Sequence, residues 1–185
     1  MAQEARIGGR RRPNPWRIAA WSIAALLLLL PLVAMQFTRE VNWDAADFLF
    51  AGILIGSVGL LAELTVRTTT NLAFRAAVGF ALAASFLIIW ANGAVGMIGD
   101  EDNGYNLLFL GVIVLAFLGS IAARFRAAGM ALAMLAAAIV HGGVALVGMQ
   151  QDPRGGVFSL VFAGFWLFSA GLFHLAARGN AAASG

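Results

Sequence analysis

Six long apolar runs alternate with short polar breaks along the chain. The runs cover residues 17–37, 47–66, 72–98, 105–123, 130–149 and 156–177. Each is near the ~20 residues that a helix needs to cross a bilayer core. Irregular backbone facing lipid would leave its N–H and C=O groups without partners, so each run predicts a helix. The breaks carry turn chemistry, most clearly Gly99-Asp100-Glu101-Asp102-Asn103-Gly104 and Gln150-Gln151-Asp152-Pro153-Arg154-Gly155. The pattern predicts an all-α membrane protein, a six-helix transmembrane bundle forming one domain over residues 17–177. Residues 1–16 read as a basic, disordered N-terminus on the cytoplasmic side. Residues 178–185, rich in Ala, Ser and Gly, read as a flexible tail.

The second run is the template for the others. It starts at Asp47, ends at Arg67, and carries Gly52, Gly56, Gly59 and one carboxylate, Glu63. The first run contains Pro31, which lacks a backbone donor and crowds the carbonyl four residues back, so a kink is expected near Leu27. A secretory signal is a poorer reading of this run. Its apolar stretch exceeds the 7–15 residues of such signals, and no Ala-x-Ala-like site follows.

Composition sharpens the class. The chain is 61% apolar and 11% charged, whereas soluble chains carry about 25% charged residues. The basic balance is entirely Arg, placed beside apolar runs rather than on a polar face, which argues against nucleic acid as a partner. With no Cys, disulfides and thiolate metal sites are excluded.

Charge also orients the chain. With the N-terminus inside, six spans place Arg6, Arg10, Arg11, Arg12, Arg17, Arg67, Arg75, Arg124, Arg126 and Arg178 on the inner side. Only Arg39 and Arg154 fall outside. Positive residues beside spans favour the cytoplasm, so both termini are expected there, in the inner membrane of a cell. Residues 48–67, 107–126 and 158–178 share an apolar start, two spaced glycines and a terminal Arg. This repeat suggests three parallel helical hairpins, spans 1–2, 3–4 and 5–6. Small residues mark the expected packing faces: Gly52, Gly56 and Gly59, then Gly79 and Ala83, Gly111 and Gly119, Gly142, and Gly164 with Gly171.

The candidate polar site within the membrane comprises Glu63, Arg67, Asn92, His141 and His174. Arg67 lies four residues after Glu63, the favourable order for an ion pair on one helix face. A buried amide such as Asn92 is expected to bond across to a neighbouring helix. His141, beside Gly142-Gly143, is expected to bond a carbonyl on another helix or to titrate in a polar cavity. His174 sits near the inner end, at the depth of Glu63. The two histidines differ in depth by roughly 15 Å, too far to bind one haem together. Asp100, Glu101 and Asp102 offer oxygens to a hard cation, but adjacent loop acids are usually just solvated. No nucleophile elbow, zinc-helix motif, phosphate loop or dinucleotide fingerprint is present. No enzymatic activity, cofactor or metal is therefore expected.

One resemblance adds context. Glu40-Val41-Asn42-Trp43, Asp47-Phe48, Arg75 to Gly79, Trp90 to Gly96 and Glu101-Asp102-Asn103 resemble a group of small, uncharacterised inner-membrane proteins of Gram-negative bacteria. The resemblance covers residues 37–126, implies a bacterial origin, and carries no activity or site with it. Two functions fit the sequence. The first is a non-enzymatic structural or accessory bundle, partnered by lipid and by its own copies or another membrane protein. The second is a small, proton-linked transporter or channel using Glu63, His141 and Asn92.

Overall fold

The computed structural model describes residues 15–39 and 41–182. The basic segment 1–14 and the last three residues lie outside these. Among the described residues there are six α-helices: α1 (Pro15–Ala34), α2 (Ala45–Thr68), α3 (Leu72–Ala94), α4 (Leu107–Ala122), α5 (Ala127–Gly148) and α6 (Pro153–Ala182). A 3-10 turn, Gly104–Asn106, leads into α4. All six helices are long and apolar enough to cross a membrane once that turn is counted with α4. The chain divides into two compact units, Met1–Gly59 and Leu60–Gly185.

In the first unit, α2 starts with a reciprocal cap. Asp44 Oδ1 accepts from the amides of Ala46 (2.7 Å) and Asp47 (3.0 Å), and Asp47 Oδ2 accepts from the Asp44 amide (2.9 Å). Trp43 and Phe48 close around it, edge to face at 5.2 Å, as a hydrophobic staple. Trp21 of α1 lies over Gly59, where an added Cβ would come within 2.9 Å of the indole. α1 stays helical across Pro31, which sits in its last turn.

In the second unit, α6 is the common partner. It packs on α5 and on α3, while α4 packs on α5 and meets α3 only slightly. Ser159, Phe162, Trp166, Ser169, Phe173 and Ala176 recur at helical spacing along α6 and form its buried face. The repeat therefore describes the α5–α6 hairpin well and the α3–α4 pair poorly. Lipid offers no reason for successive helices to pair, and α3 finds its close partner on α6 instead.

Several span ends differ from expectation: α1 stops at Ala34 rather than 37, and α5 starts at Ala127 rather than 130. The third helix stops at Ala94 rather than Ile98, because Gly96 takes a left-handed φ of 75°. Met97 and Ile98 then dip back into the core, and both are buried. The sixth helix starts at Pro153, not 156: Asp152 Oδ1 caps the amides of Arg154 (3.1 Å) and Gly155 (3.0 Å), and Pro suits the first helical position. It also continues to Ala182 through the expected tail, where Ala-rich sequence favours helix. The glycine faces need correction too. Gly59 and Gly119 sit at close approaches: a Cβ added to Gly119 would come within 2.8 Å of Ala133 Cβ, whereas one added to Gly52 would make only ordinary contact with Leu28. Gly56, Gly79, Gly111, Gly142, Gly164 and Gly171 have open space where a Cβ would stand.

A polar knot closes the end of the second unit that holds residues 95–106. Asn106 Oδ1 accepts from the amides of Met97 (3.1 Å) and Ile98 (2.9 Å), and its Nδ2 donates to Asp100 O (2.7 Å). Asp152 Oδ2 accepts from the Gly99 amide at 3.1 Å, across 53 residues of chain. The amides of Gly155 and then Gly99 hold the Asp152 carboxyl below its ordinary value of 3.8. A lowered value means the contact is in place above pH 3.8 and is lost as pH falls through the lowered value. The Gly99 amide resonance, followed by NMR during acid titration, is expected to move with a midpoint below 3.8. A midpoint at or above that value would contradict the cap. Gly155→Ala would drive a methyl into the Asp152 carboxylate and the Met97 carbonyl. It is expected to cost about 1–3 kcal/mol in detergent unfolding.

Candidate functional site

The buried face of α5 runs through Met134, Ala137, Ala138, His141 and Ala145, at helical spacing. This register turns His141 away from lipid, and the residue is fully buried. Its Nε2 lies 3.0 Å from the carbonyl oxygen of Ser159 on α6. A carbonyl only accepts, so Nε2 carries the hydrogen and Nδ1 is an acceptor. The Phe109 ring of α4 packs at 5.0 Å between centroids, and the Phe162 ring of α6 at 6.3 Å. Three helices therefore enclose the imidazole, and it bonds a carbonyl on a neighbouring helix.

Among the described residues of this unit, four buried side-chain atoms have no hydrogen-bond partner: His141 Nδ1, Ser159 Oγ, Trp166 Nε1 and Asn92 Oδ1. Such atoms are uncommon in folded proteins and each carries a desolvation cost. Sequence reasoning missed Ser159, Ser169 and Trp166 as members of one core. The signal was their shared face on α6, read together with Phe162 and Phe173.

The other predicted residues lie elsewhere. Asn92 donates from Nδ2 to Ile88 O at 2.8 Å, within its own helix rather than across to another. Ser169 supplies interhelical glue instead, donating from Oγ to Ala77 O at 2.8 Å. Glu63 accepts from Arg67 Nε at 2.7 Å, with the Arg largely exposed. Exposed pairs at this spacing contribute only about 0.3–0.5 kcal/mol. His174 is exposed and does not pair with Glu63. It lies 15 residues beyond Ser159 on α6, roughly 22 Å from the His141 level. The five candidates thus do not form one site. Among the described residues no group of three His, Cys, Asp or Glu side chains gathers closely enough to hold a metal.

The outer surfaces are apolar, with Leu132, Ile139, Val161 and Phe168 all exposed on α5 and α6. Lipid is the solvent that suits them. The chain is a multi-pass membrane protein. Comparison with protein-family models, with curated proteins and with solved structures finds no match.

The two buried serines give a paired prediction. Ser169→Ala deletes an interhelical hydrogen bond and is expected to destabilise the fold by about 0.6–1.7 kcal/mol. Ser159→Ala deletes an unpaired hydroxyl, and its unfolding midpoint is expected to stay level or rise. Equal losses in a denaturing-detergent titration would count against this assignment of roles.

Proposed function

We propose that the protein is a non-enzymatic membrane bundle that acts as a structural or accessory component, self-associating or seated against another membrane protein. One observation carries the reading: the polar groups inside the spans act as fasteners between or within helices. Ser169 binds Ala77, Tyr105 Oη donates to Val144 O at 2.7 Å, and His141 binds Ser159. Arg75 donates to Val66 O and Thr69 O, fastening the turn between α2 and α3. The two titratable groups are also far apart. Ser159 and Ser169 are ten residues, roughly 15 Å, apart on α6. His141 sits at the first level; Glu63 lies near the end of α2, which Arg75, two residues before Ala77, fastens to α3 through Val66 O. The Arg distribution favours cytoplasmic termini, and the resemblance over residues 37–126 favours a bacterial inner membrane.

A second reading, a small proton-linked transporter or channel, draws on the unpaired His141 Nδ1 and Asn92 Oδ1. Proteoliposomes separate the two. The bundle reading expects proton flux no greater than in protein-free vesicles, and a defined oligomer or a stoichiometric partner in mild detergent. A proton flux abolished by both Glu63→Gln and His141→Ala would replace it with the transporter reading.

A further inference from the structure

The turn between α4 and α5 is tight and built without glycine. Arg124 (φ 52°) and Phe125 (φ 55°) both take left-handed backbone angles. The turn closes α4 with Phe125 N donating to Ser120 O (3.0 Å) and Arg124 N to Ile121 O (2.8 Å). Helix ends of this type favour Gly or Asn at the left-handed position. The chain's positive-φ glycines, among the described residues, are Gly96 and Gly99. Here it retains two large side chains at a conformational cost. The close approach of the helices forces the turn: an added Cβ on Gly129 would come within 2.6 Å of Ala123 Cβ.

Both side chains point away from the bundle. Phe125 is 58% exposed. Arg124 and Arg126 are exposed too, and among the described residues neither guanidinium has a hydrogen bond or ion pair. Arg67 and Arg75, which precede and follow the turn between α2 and α3, are by contrast engaged, Arg67 with Glu63 and Arg75 with two carbonyls. With its leading 3-10 turn, α4 forms a span of 19 residues, close to the length the ~30 Å hydrocarbon core requires. A span with no residues to spare brings the turn that follows it to headgroup level, by local thinning of the bilayer and snorkelling of the flanking Arg side chains.

We propose that Arg124, Phe125 and Arg126 form a binding site for an anionic phospholipid. The two guanidinium groups hold the headgroup phosphate, and the phenyl ring lies at the boundary of the acyl chains. Guanidinium forks match phosphate oxygens in geometry and charge. An exposed aromatic ring beside them favours a lipid, which supplies both chemistries at one depth.

Native mass spectrometry and thermal unfolding of the full chain in nanodiscs test the proposal. Discs of phosphatidylcholine alone are compared with discs containing phosphatidylglycerol. The wild type is expected to retain phosphatidylglycerol and to melt higher in its presence. Each Arg removed should lower the preference for the anionic lipid about fivefold, so Arg124→Gln/Arg126→Gln should lose most of it. Arg124→Gly/Phe125→Gly relieves the left-handed backbone. It should melt higher than wild type in phosphatidylcholine and yet lose the gain from phosphatidylglycerol. Phe125→Ala provides a check that keeps both charges and should lower lipid retention. The proposal is overturned if the Gln pair keeps the full preference, or if the Gly pair melts lower in phosphatidylcholine. The same holds if inorganic phosphate reproduces the wild-type gain.

Discussion

Lipid supplies no hydrogen bonds, so every place where the chain leaves a helix must satisfy its own backbone. The structure answers this demand with side chains at fixed stations. Asp44 and Asp47 cap the start of α2, and Arg75 covers carbonyls at its end. Asn71 caps α3, accepting from Phe74 N at 3.1 Å. Asn106 and Asp152 close the far end of the second unit. Asp152 does two tasks with one carboxylate, capping α6 through one oxygen and gripping the Gly99 turn through the other. The helix ends are satisfied in this way without any polar group on the exposed apolar faces of Leu132, Ile139, Val161 and Phe168.

The second consequence is the central place of α6. Apolar surface gives no preference for one neighbour over another in a bilayer, so van der Waals fit and a few polar contacts decide which helices meet. α6 offers a face of alternating serines and large aromatic residues. Ser169 reaches the Ala77 carbonyl on α3, the Ser159 carbonyl receives His141 of α5, and the rings fill the space between. α3 is drawn there by the Ser169–Ala77 bond and by Phe74, edge to face with Phe173 at 5.1 Å.

The number and class of helices were legible in the sequence because they follow from composition over about 20 residues, a local property. The Glu63–Arg67 pair was legible for the same reason, as it needs only helical spacing. The helix ends were not. Ala94 ends α3 because Asn106 takes amides eight and nine residues away, and because Asp152 reaches back from a later loop. Neither contact leaves a periodic trace. The glycine faces were misread for a related reason. In a chain with 22 glycines, spacing alone does not tell which ones meet another backbone. The buried histidine was legible as a residue but not as a constellation, since Ser159 and Trp166 look like ordinary members of an apolar run.

That constellation argues for polar groups as devices of register. Two apolar helices in lipid can slide or rotate against each other with little change in contact energy. A single hydrogen bond from His141 to the Ser159 carbonyl removes that freedom, because the donor reaches only one carbonyl on the facing helix. The Ser169–Ala77 bond does the same for α6 against α3, ten residues further along. Two fixed points on one helix determine both its depth and its rotation. The unpaired Nδ1, Oγ and indole N–H then lower stability in return for a unique arrangement. This is the trade seen where buried polar groups specify a structure rather than strengthen it. Ser169 and His141 thus fix how α3, α5 and α6 meet, while the side chains of the α4–α5 turn face outward.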